Sequence, residues 1–263
     1  MTRLLKLEQS AQGVARIILN RPEVHNAFND VLIEQLTQTL EQLGQDPAVR
    51  VVVLTGEGHS FCAGADLNWM RAMVGYDEAT NHADATRLAT LMDTLANLPK
   101  PTIARVNGAA YGGGVGLVAC CDMAVALEGA SFALTEVKLG LVPAVISPYV
   151  ITAIGERQAR RWFLTAEAMS ASVAESIGLV HEVAAEDMLD DVVDGWIRAI
   201  LRAGPQAVSA SKRLIARISA DCQLRDGRLI DDTTKLIAQL RVSEEGQEGL
   251  SAFLEKRKPK WQL

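Results

Sequence analysis

The chain has 263 residues, enough for one large domain or two small ones and for a substantial buried core. With 49% of residues hydrophobic and 22% charged, and the apolar residues confined to short runs, composition excludes a disordered chain and a membrane span. Lys and Arg total 26 against 32 acidic residues, and aromatics are only 5%, so a net charge of −6 weighs against nucleic acid and anionic membranes as partners. Any anionic ligand must then be held by a few local donors.

Val14–Leu19 (VARIIL) is a β-rich run that predicts a strand, broken at Asn20-Arg21-Pro22, where proline forces the chain out of regular structure. From Asn29 the apolar residues Leu32, Ile33, Leu36, Leu40 and Leu43 recur at helical spacing, with Asn29 or Asp30 as the cap and Asp46-Pro47 as the stop. VRVVVLTG (49–56) is an unbroken apolar run ended by glycine, the pattern of a strand buried on both faces. A β-α-β unit is thus complete by residue 56. Residues 57–83 are mixed and polar; Leu88, Leu91, Met92, Leu95 and Leu98 then mark a second helix that ends at Pro99 and Pro101. TIARVNG (102–108) reads as a strand, followed by the glycine-dense AAYGGGVGLVACCDMAVAL, a short strand at Ser131–Leu134 and an irregular TEVKLGLVP. After Ile146 the chain reads mostly as helix, with breaks at Gly155, Ser170, Gly178 and Gly204-Pro205 and one short strand at Leu179–Val183.

The pattern predicts an α/β core over 1–200 and a helical assembly region over 201–263. The apolar stripes of that region (Leu214, Ile215, Ile218; Leu229, Leu236, Ile237, Leu240) exceed what a small appendage buries alone, which predicts packing on a neighbouring subunit. Of the four cysteines, Cys62, Cys120, Cys121 and Cys222, the adjacent pair could close only a strained ring, and no spacing suggests a metal site. A reducing compartment follows, and the opening MTRLLKLEQSAQGVAR has no apolar segment of signal-peptide length, so a cytoplasmic location is expected.

Several chemistries are excluded by their motifs. There is no GxxxxGK[ST], and in GEGHSF after the strand at 51–55, Phe61 stands where a dinucleotide fingerprint needs its last glycine. There is no GxSxG elbow, and His25, His59, His82 and His181 form no HExxH or other helical ligand pair.

The positive signal lies in two glycine-containing segments that each follow a predicted buried strand. In His59-Ser60-Phe61-Cys62-Ala63-Gly64-Ala65-Asp66-Leu67, small residues let the backbone approach a ligand, and Asp66 can cap a helix carrying Leu67, Met70 and Met73. Gly112-Gly113-Gly114-Val115-Gly116 opens the apolar helix LVACC, where unpaired N–H groups favour negative charge. Each segment alone reads as a tight strand-to-helix turn. Together they suggest an oxyanion hole, each donor contributing about 2.7–4 kcal/mol to a developing anion. Glu136, flanked by apolar residues just after a short strand, is a general acid or base with a raised pKa, or else a solvated loop glutamate or a partner of Lys138.

LNRPEVHNAF, SFCAGADL, PTIARVNGAAYGGGVGLVACCDMAVA, FALTEVKLGLVP and EGLSAFLEKRKP, in this order and spacing, resemble the enoyl-CoA hydratase/isomerase (crotonase) superfamily. The resemblance implies an α/β fold, a crotonase-like spiral of repeated β-β-α units with a C-terminal helical trimerisation region, a homotrimer or dimer of trimers, and coenzyme A thioesters as substrates. It implies backbone N–H donors at Ala65 and Gly113, Glu136 as the proton-transfer group, Ala63, Asp66 and Leu67 along the adenine and pantetheine path, and Phe253 and Lys256 at the nucleotide end. No metal and no separate cofactor are expected, coenzyme A being part of the substrate.

The chain departs from the two-acid hydratases of that family, which carry a glutamate three residues beyond the middle glycine. Here that position is Gly116. TEVKLGLVPAVISPYV, GVGLVACCDMA and DLNWM resemble the bacterial methylglutaconyl-CoA hydratases of leucine breakdown and their isoprenoid-acid relatives, the isohexenylglutaconyl-CoA hydratases. Reversible hydration of a branched α,β-unsaturated acyl-CoA is therefore expected. A Δ3-Δ2 isomerase or general enoyl-CoA hydratase is the alternative, and a non-catalytic acyl-CoA- or RNA-binding protein is the alternative of another class.

Overall fold

The structure, a computed structural model, describes residues 4–220 and 227–262, and the side chains of all of these except 220 and 227–230. Strands β1 (Leu5–Gln9) and β2 (Val14–Leu19) form an antiparallel hairpin. Helix α1 (Asp30–Gln45) leads to β3 (Val51–Gly56) and the short β4 (Ser60–Cys62), followed by α2 (Leu67–Met73) and α3 (Glu78–Ala96). The next turn is β5 (Thr102–Val106), β6 (Ala109–Tyr111) and α4 (Gly113–Cys120); the third is β7 (Met123–Leu127), β8 (Ser131–Ala133) and α5 (Ser147–Thr165). Then come β9 (Met169–Ser170), α6 (Ala171–Ser176), β10 (Glu182–Ala184), α7 (Leu189–Arg202), α8 (Pro205–Ala220), α9 (Gly227–Val242) and α10 (Glu244–Leu254).

The long strands build a six-stranded sheet in the order β1-β2-β3-β5-β7-β10, and the short ones a four-stranded sheet in the order β4-β6-β8-β9. β3, β5 and β7 are each followed within a few residues by a short strand of the second sheet, β4, β6 and β8 in turn, and then by helix. That is the repeated β-β-α spiral. The corner between the sheets is tight. A β-carbon at Gly56 would stand 2.6 Å from the Phe61 carbonyl oxygen, and one at Gly108 would stand 3.1 Å from Ser60 Cα.

Both faces of β3 are covered, which is why its sequence is apolar throughout. Val52 and Leu54 join the main core with Leu32, Leu36 and Leu40 of α1 and Leu91, Met92 and Leu95 of α3. Val51 and Val53 point the other way, into a second core with Ile103, Val125 and Leu189, Val193 and Ile197 of α7. Asn29 caps α1, its Oδ1 accepting from the Leu32 amide at 2.8 Å, so of the two candidate caps it is Asn29 that serves.

The structure moves several sequence-derived boundaries. The predicted strand at 102–108 ends at Val106, and Ala109–Tyr111 begins a strand of the other sheet. The helix expected from Leu88 begins at Glu78, where the Asp77 side chain accepts from the Thr80 amide. Its first three turns are almost wholly exposed and so show no apolar stripe. The strand expected at Leu179–Val183 lies at Glu182–Ala184. Gly155, with φ of 75°, kinks α5 at the expected break.

In the C-terminal helices Leu214, Leu236 and Leu240 are half-buried, whereas Ile215, Ile218 and Ile237 are exposed; Cys222 and the Leu229 side chain lie outside the described residues. The Glu245 carboxylate of α10 accepts from the amides of Gln206 (2.9 Å) and Ala207 (2.8 Å), capping α8. Cys62, Cys120 and Cys121 are free thiols, and burial pushes those of Cys62 and Cys121 up to about 12. No helix among the described residues is long and apolar enough to cross a membrane.

Candidate active site

The site forms where the short strands end and the next helices begin. After β4 the segment Ala63–Asp66 runs beside Ala27–Phe28. The Phe28 amide donates to Gly64 O (2.6 Å) and the Asp66 amide to Phe28 O (2.8 Å), a parallel bridge between Phe28 and Ala65. Because the residues flanking Ala65 make those bonds, the Ala65 N–H faces away from Phe28 and donates to no acceptor among the described residues. Gly64, with φ of 86°, brings this segment against the next one: a β-carbon there would lie 2.9 Å from Tyr111 O.

The second donor follows β6. The Gly112 amide donates to Ala133 O at 2.9 Å, and its φ of 49° with ψ of −118° turns the chain straight into α4. Gly113 and Gly114, the first residues of that helix, have no carbonyl one turn back to bond, and their amides have no partner among the described residues. Gly112 also brings the backbone close to Glu136, since a β-carbon would stand 3.1 Å from Glu136 Oε1, a tight contact that the carboxylate would have to yield to.

Glu136 opens a short 3₁₀ helix, Glu136–Leu139, closed by Gly140 with φ of 72°. Its Oε2 is buried and has no hydrogen-bond partner among the described residues. Burial pushes the carboxyl pKa up, opposed in part by a bond from its own backbone amide. It is therefore neither a solvated loop glutamate nor, among the described residues, an ion-pair partner of the exposed Lys138.

Across α4, Gly116 faces Met92 and Ile146; a β-carbon at Gly116 would stand 3.0 Å from Ile146 Cβ and 3.2 Å from Met92 Cε. An apolar wall occupies the space where a second carboxylate would have to enter.

Asp66 is buried and caps α2, accepting from Asn68 N at 2.7 Å, while Arg21 Nη2 pairs with its Oδ2 at 2.7 Å and Arg21 Nη1 donates to Ala27 O at 2.6 Å. Burial alone would raise its pKa; the Arg21 bond and the Asn68 and Trp69 amides outweigh that and hold it low. Ala63 is half-buried and Leu67 exposed beside it. Phe253, near the end of α10, and Lys256, just past it, are exposed, and no hydrogen bond or ion pair among the described residues joins them to this cluster. Of their basic neighbours, Arg257 is occupied by Glu248 (2.6 Å) and Glu255 (2.7 Å), leaving Lys256 and Lys258 exposed. The structure thus brings Ala63, Ala65, Asp66, Leu67, Gly113 and Glu136 to one end of the second sheet, and adds Phe28, Arg21 and Ile146, which motif reasoning did not single out.

Two unpaired amides on adjacent segments with one desolvated carboxylate beside them can stabilise an anion while a proton moves at a neighbouring atom. Two clefts lie elsewhere. One of about 540 Å³ sits between the end of α1, the start of β5 and α8–α9, and one of about 600 Å³ beside β1–β2 and α7; neither includes Ala65, Gly113 or Glu136.

Comparison with known proteins agrees with this geometry. The family profile described as enoyl-CoA hydratase/isomerase matches residues 9–263. The chain is 36% identical over 256 residues to the 2,3-dehydroadipyl-CoA hydratase of Escherichia coli, covering 94% of each chain. A crystal structure of an enoyl-CoA hydratase from Shewanella pealeana superposes with a TM-score of 0.95 at 46% identity, covering 98% of this chain and 96% of that one. An enoyl-CoA hydratase/isomerase from Marinobacter aquaeolei gives 0.94 at 31% identity, covering all of both chains.

Proposed function

The chain belongs to the enoyl-CoA hydratase/isomerase family and is a hydratase-type enzyme, and on that premise we propose that it adds water reversibly to a branched α,β-unsaturated acyl-CoA of the 3-methylglutaconyl-CoA or isohexenylglutaconyl-CoA type. The observation that carries the reading is the buried Glu136 carboxylate, whose Oε2 has no partner among the described residues and which lies against Gly112, the residue before the Gly113 amide. Addition of hydroxide character at the β-carbon puts enolate charge on the thioester oxygen, where the Ala65 and Gly113 amides stabilise it. Glu136 handles the proton that the water gives up and the α-carbon gains. With Gly116 closed off by Ile146, no second protein carboxylate stands at that position, and the carboxylate of the substrate itself supplies part of what it would do. The Escherichia coli relative supports such a substrate, since 2,3-dehydroadipyl-CoA also carries a free carboxylate besides its thioester.

Ala63, Asp66 and Leu67 line the path of the coenzyme, and Phe253 and Lys256 meet its nucleotide end. The chain divides into a catalytic core over 1–200 and an assembly region over 201–263, whose exposed Ile215, Ile237, Leu250 and Leu254 support a homotrimer or a dimer of trimers. The reading also keeps the cytoplasmic location, and takes coenzyme A as part of the substrate rather than as a cofactor. The second reading, a double-bond isomerase that shuttles a proton on Glu136 alone, is favoured by the same closure at Gly116. Incubation of methylglutaconyl-, isohexenylglutaconyl- and crotonyl-CoA, and of a 3-enoyl-CoA, in labelled water separates them. Solvent oxygen in the product, fastest with the branched dicarboxylic esters, supports hydration; a shifted double bond with no solvent oxygen overturns it.

A further inference from the structure

The geometry points to Phe28 as the positioning residue that sets the distance between the two anion-stabilising amides; this rests on the reading of Ala65 and Gly113 as those donors. Phe28 touches both halves. Its backbone amide and carbonyl bond Gly64 O and Asp66 N, on either side of Ala65. Its ring lies against Gly113, where a β-carbon would stand 2.8 Å from Cε2 and 3.1 Å from Cδ2. One residue thus fixes Ala65 by hydrogen bonds and Gly113 by contact.

Phe28 is itself held firmly. The side chain is 1% exposed. On its N-terminal side His25 and Asn26 both take left-handed φ values, 53° and 57°, a conformation disfavoured for residues with a β-carbon. Asn26 holds that turn: its Oδ1 accepts from Arg21 N (2.9 Å) and its Nδ2 donates to Glu57 O (3.0 Å) and Ser60 O (2.8 Å). Arg21 donates to Ala27 O and pairs with Asp66, tying the residue before Phe28 to the residue after Ala65. On the C-terminal side Asn29 caps α1. The strained turn, the buried ion pair and the cap converge on one side chain.

A hydrogen-bond donor aimed at developing charge acts only where it is aimed, and a misplacement of about 1 Å costs on the order of 10²-fold in rate. A shorter side chain at 28 lets α4 settle toward the vacated ring and draws the Gly113 amide away from its partner donor. Phe28 touches no reacting atom; it acts through the two backbone amides.

The test combines kinetics with the infrared stretch of carbonyl-¹³C-labelled butyryl-CoA, which cannot be hydrated, bound to the full-length enzyme. In the wild type the thioester stretch moves to lower frequency on binding. In Phe28→Leu that shift shrinks and kcat falls by about 10- to 100-fold while KM stays within about 3-fold. Gly113→Ala, which pushes the ring from the other side, lowers kcat alike, and the double variant Phe28→Leu/Gly113→Ala recovers part of it. If Phe28→Leu keeps both the stretch and kcat while only its melting temperature drops, Phe28 merely packs and the inference is overturned. Should Phe28→Leu not fold, the stretch and kcat of Gly113→Ala decide in the same way. Absence of a shift in the wild type overturns the donor assignment itself and the inference with it.

Discussion

Ile146 fills the volume into which any side chain at Gly116 would project, its Cβ lying 3.0 Å from where a β-carbon there would be. Both are buried, and Met92 closes the third side. The missing acid at this position is therefore part of the packing of α4 against the loop before α5, and restoring it is not a matter of one substitution. Gly116→Ala should destabilise the fold by about 1–3 kcal/mol through overpacking. Urea denaturation of Gly116→Ala, Ile146→Ala and the double variant checks this, with the double variant less destabilised than the sum of the singles.

Glu136→Gln keeps the shape of the side chain and removes its ability to exchange a proton. Turnover should fall at least ~100-fold while acyl-CoA affinity is largely retained. Steady-state kinetics alongside calorimetric titration with a saturated acyl-CoA measure the two quantities; near-normal turnover would remove Glu136 from the mechanism.

The same substitution should act on stability with a definite sign. Because burial raises the Glu136 pKa, its ionisation opposes folding: the contribution is most favourable below the ordinary carboxylate range and is lost as pH rises through the raised value. Glu136→Gln should therefore melt higher than wild type near pH 7, and the gap should close as pH falls toward about 4. A gap independent of pH would show that the carboxylate is not desolvated in solution.

Asp66 should behave in the opposite sense. Its Arg21 pair and amide bonds hold its pKa below the ordinary range, so its contribution is present at neutral pH and lost as pH falls through the lowered value. Asp66→Asn preserves the cap on α2 but leaves the Arg21 guanidinium, largely buried, without a counter-charge; a loss of about 3 kcal/mol at neutral pH is expected. Denaturant titrations at neutral and acid pH should show that loss shrinking in acid.

Elements whose burial is set by one period were legible in the sequence. VARIIL announces a strand and the stripe from Leu32 to Leu43 announces α1, because one core dictates every second or every third and fourth residue, while VRVVVLTG announces β3 by an apolar run unbroken because both its faces are covered. β4, β6 and β9 were not, being two- and three-residue strands without a period to read that run straight on into other elements or glycine-rich loops. The first turns of α3 were hidden for another reason: the helix stands in solvent there and is specified by its Asp77 cap rather than by apolar residues. In the site, the two glycine-containing segments and the lone acid Glu136 stood out from the residues themselves, whereas the choice of Ala65 and Gly113 within those segments came from the family resemblance. Ile146 and Phe28 did not stand out. Each matters for what its side chain excludes or holds across the sequence, and a glycine with no room for a β-carbon gives no sign of which distant residue fills the space.

The Glu245 carboxylate closes the first turn of α8 from 38 residues downstream. During synthesis α8 therefore leaves the ribosome with its N-terminal amides open, and receives its cap only after α9 has been made and the chain has turned back. The last helices are in this sense a clasp that the growing chain fastens late. A nascent chain halted before Ser243 holds α8 without it, at a cost of about 1 kcal/mol in that helix.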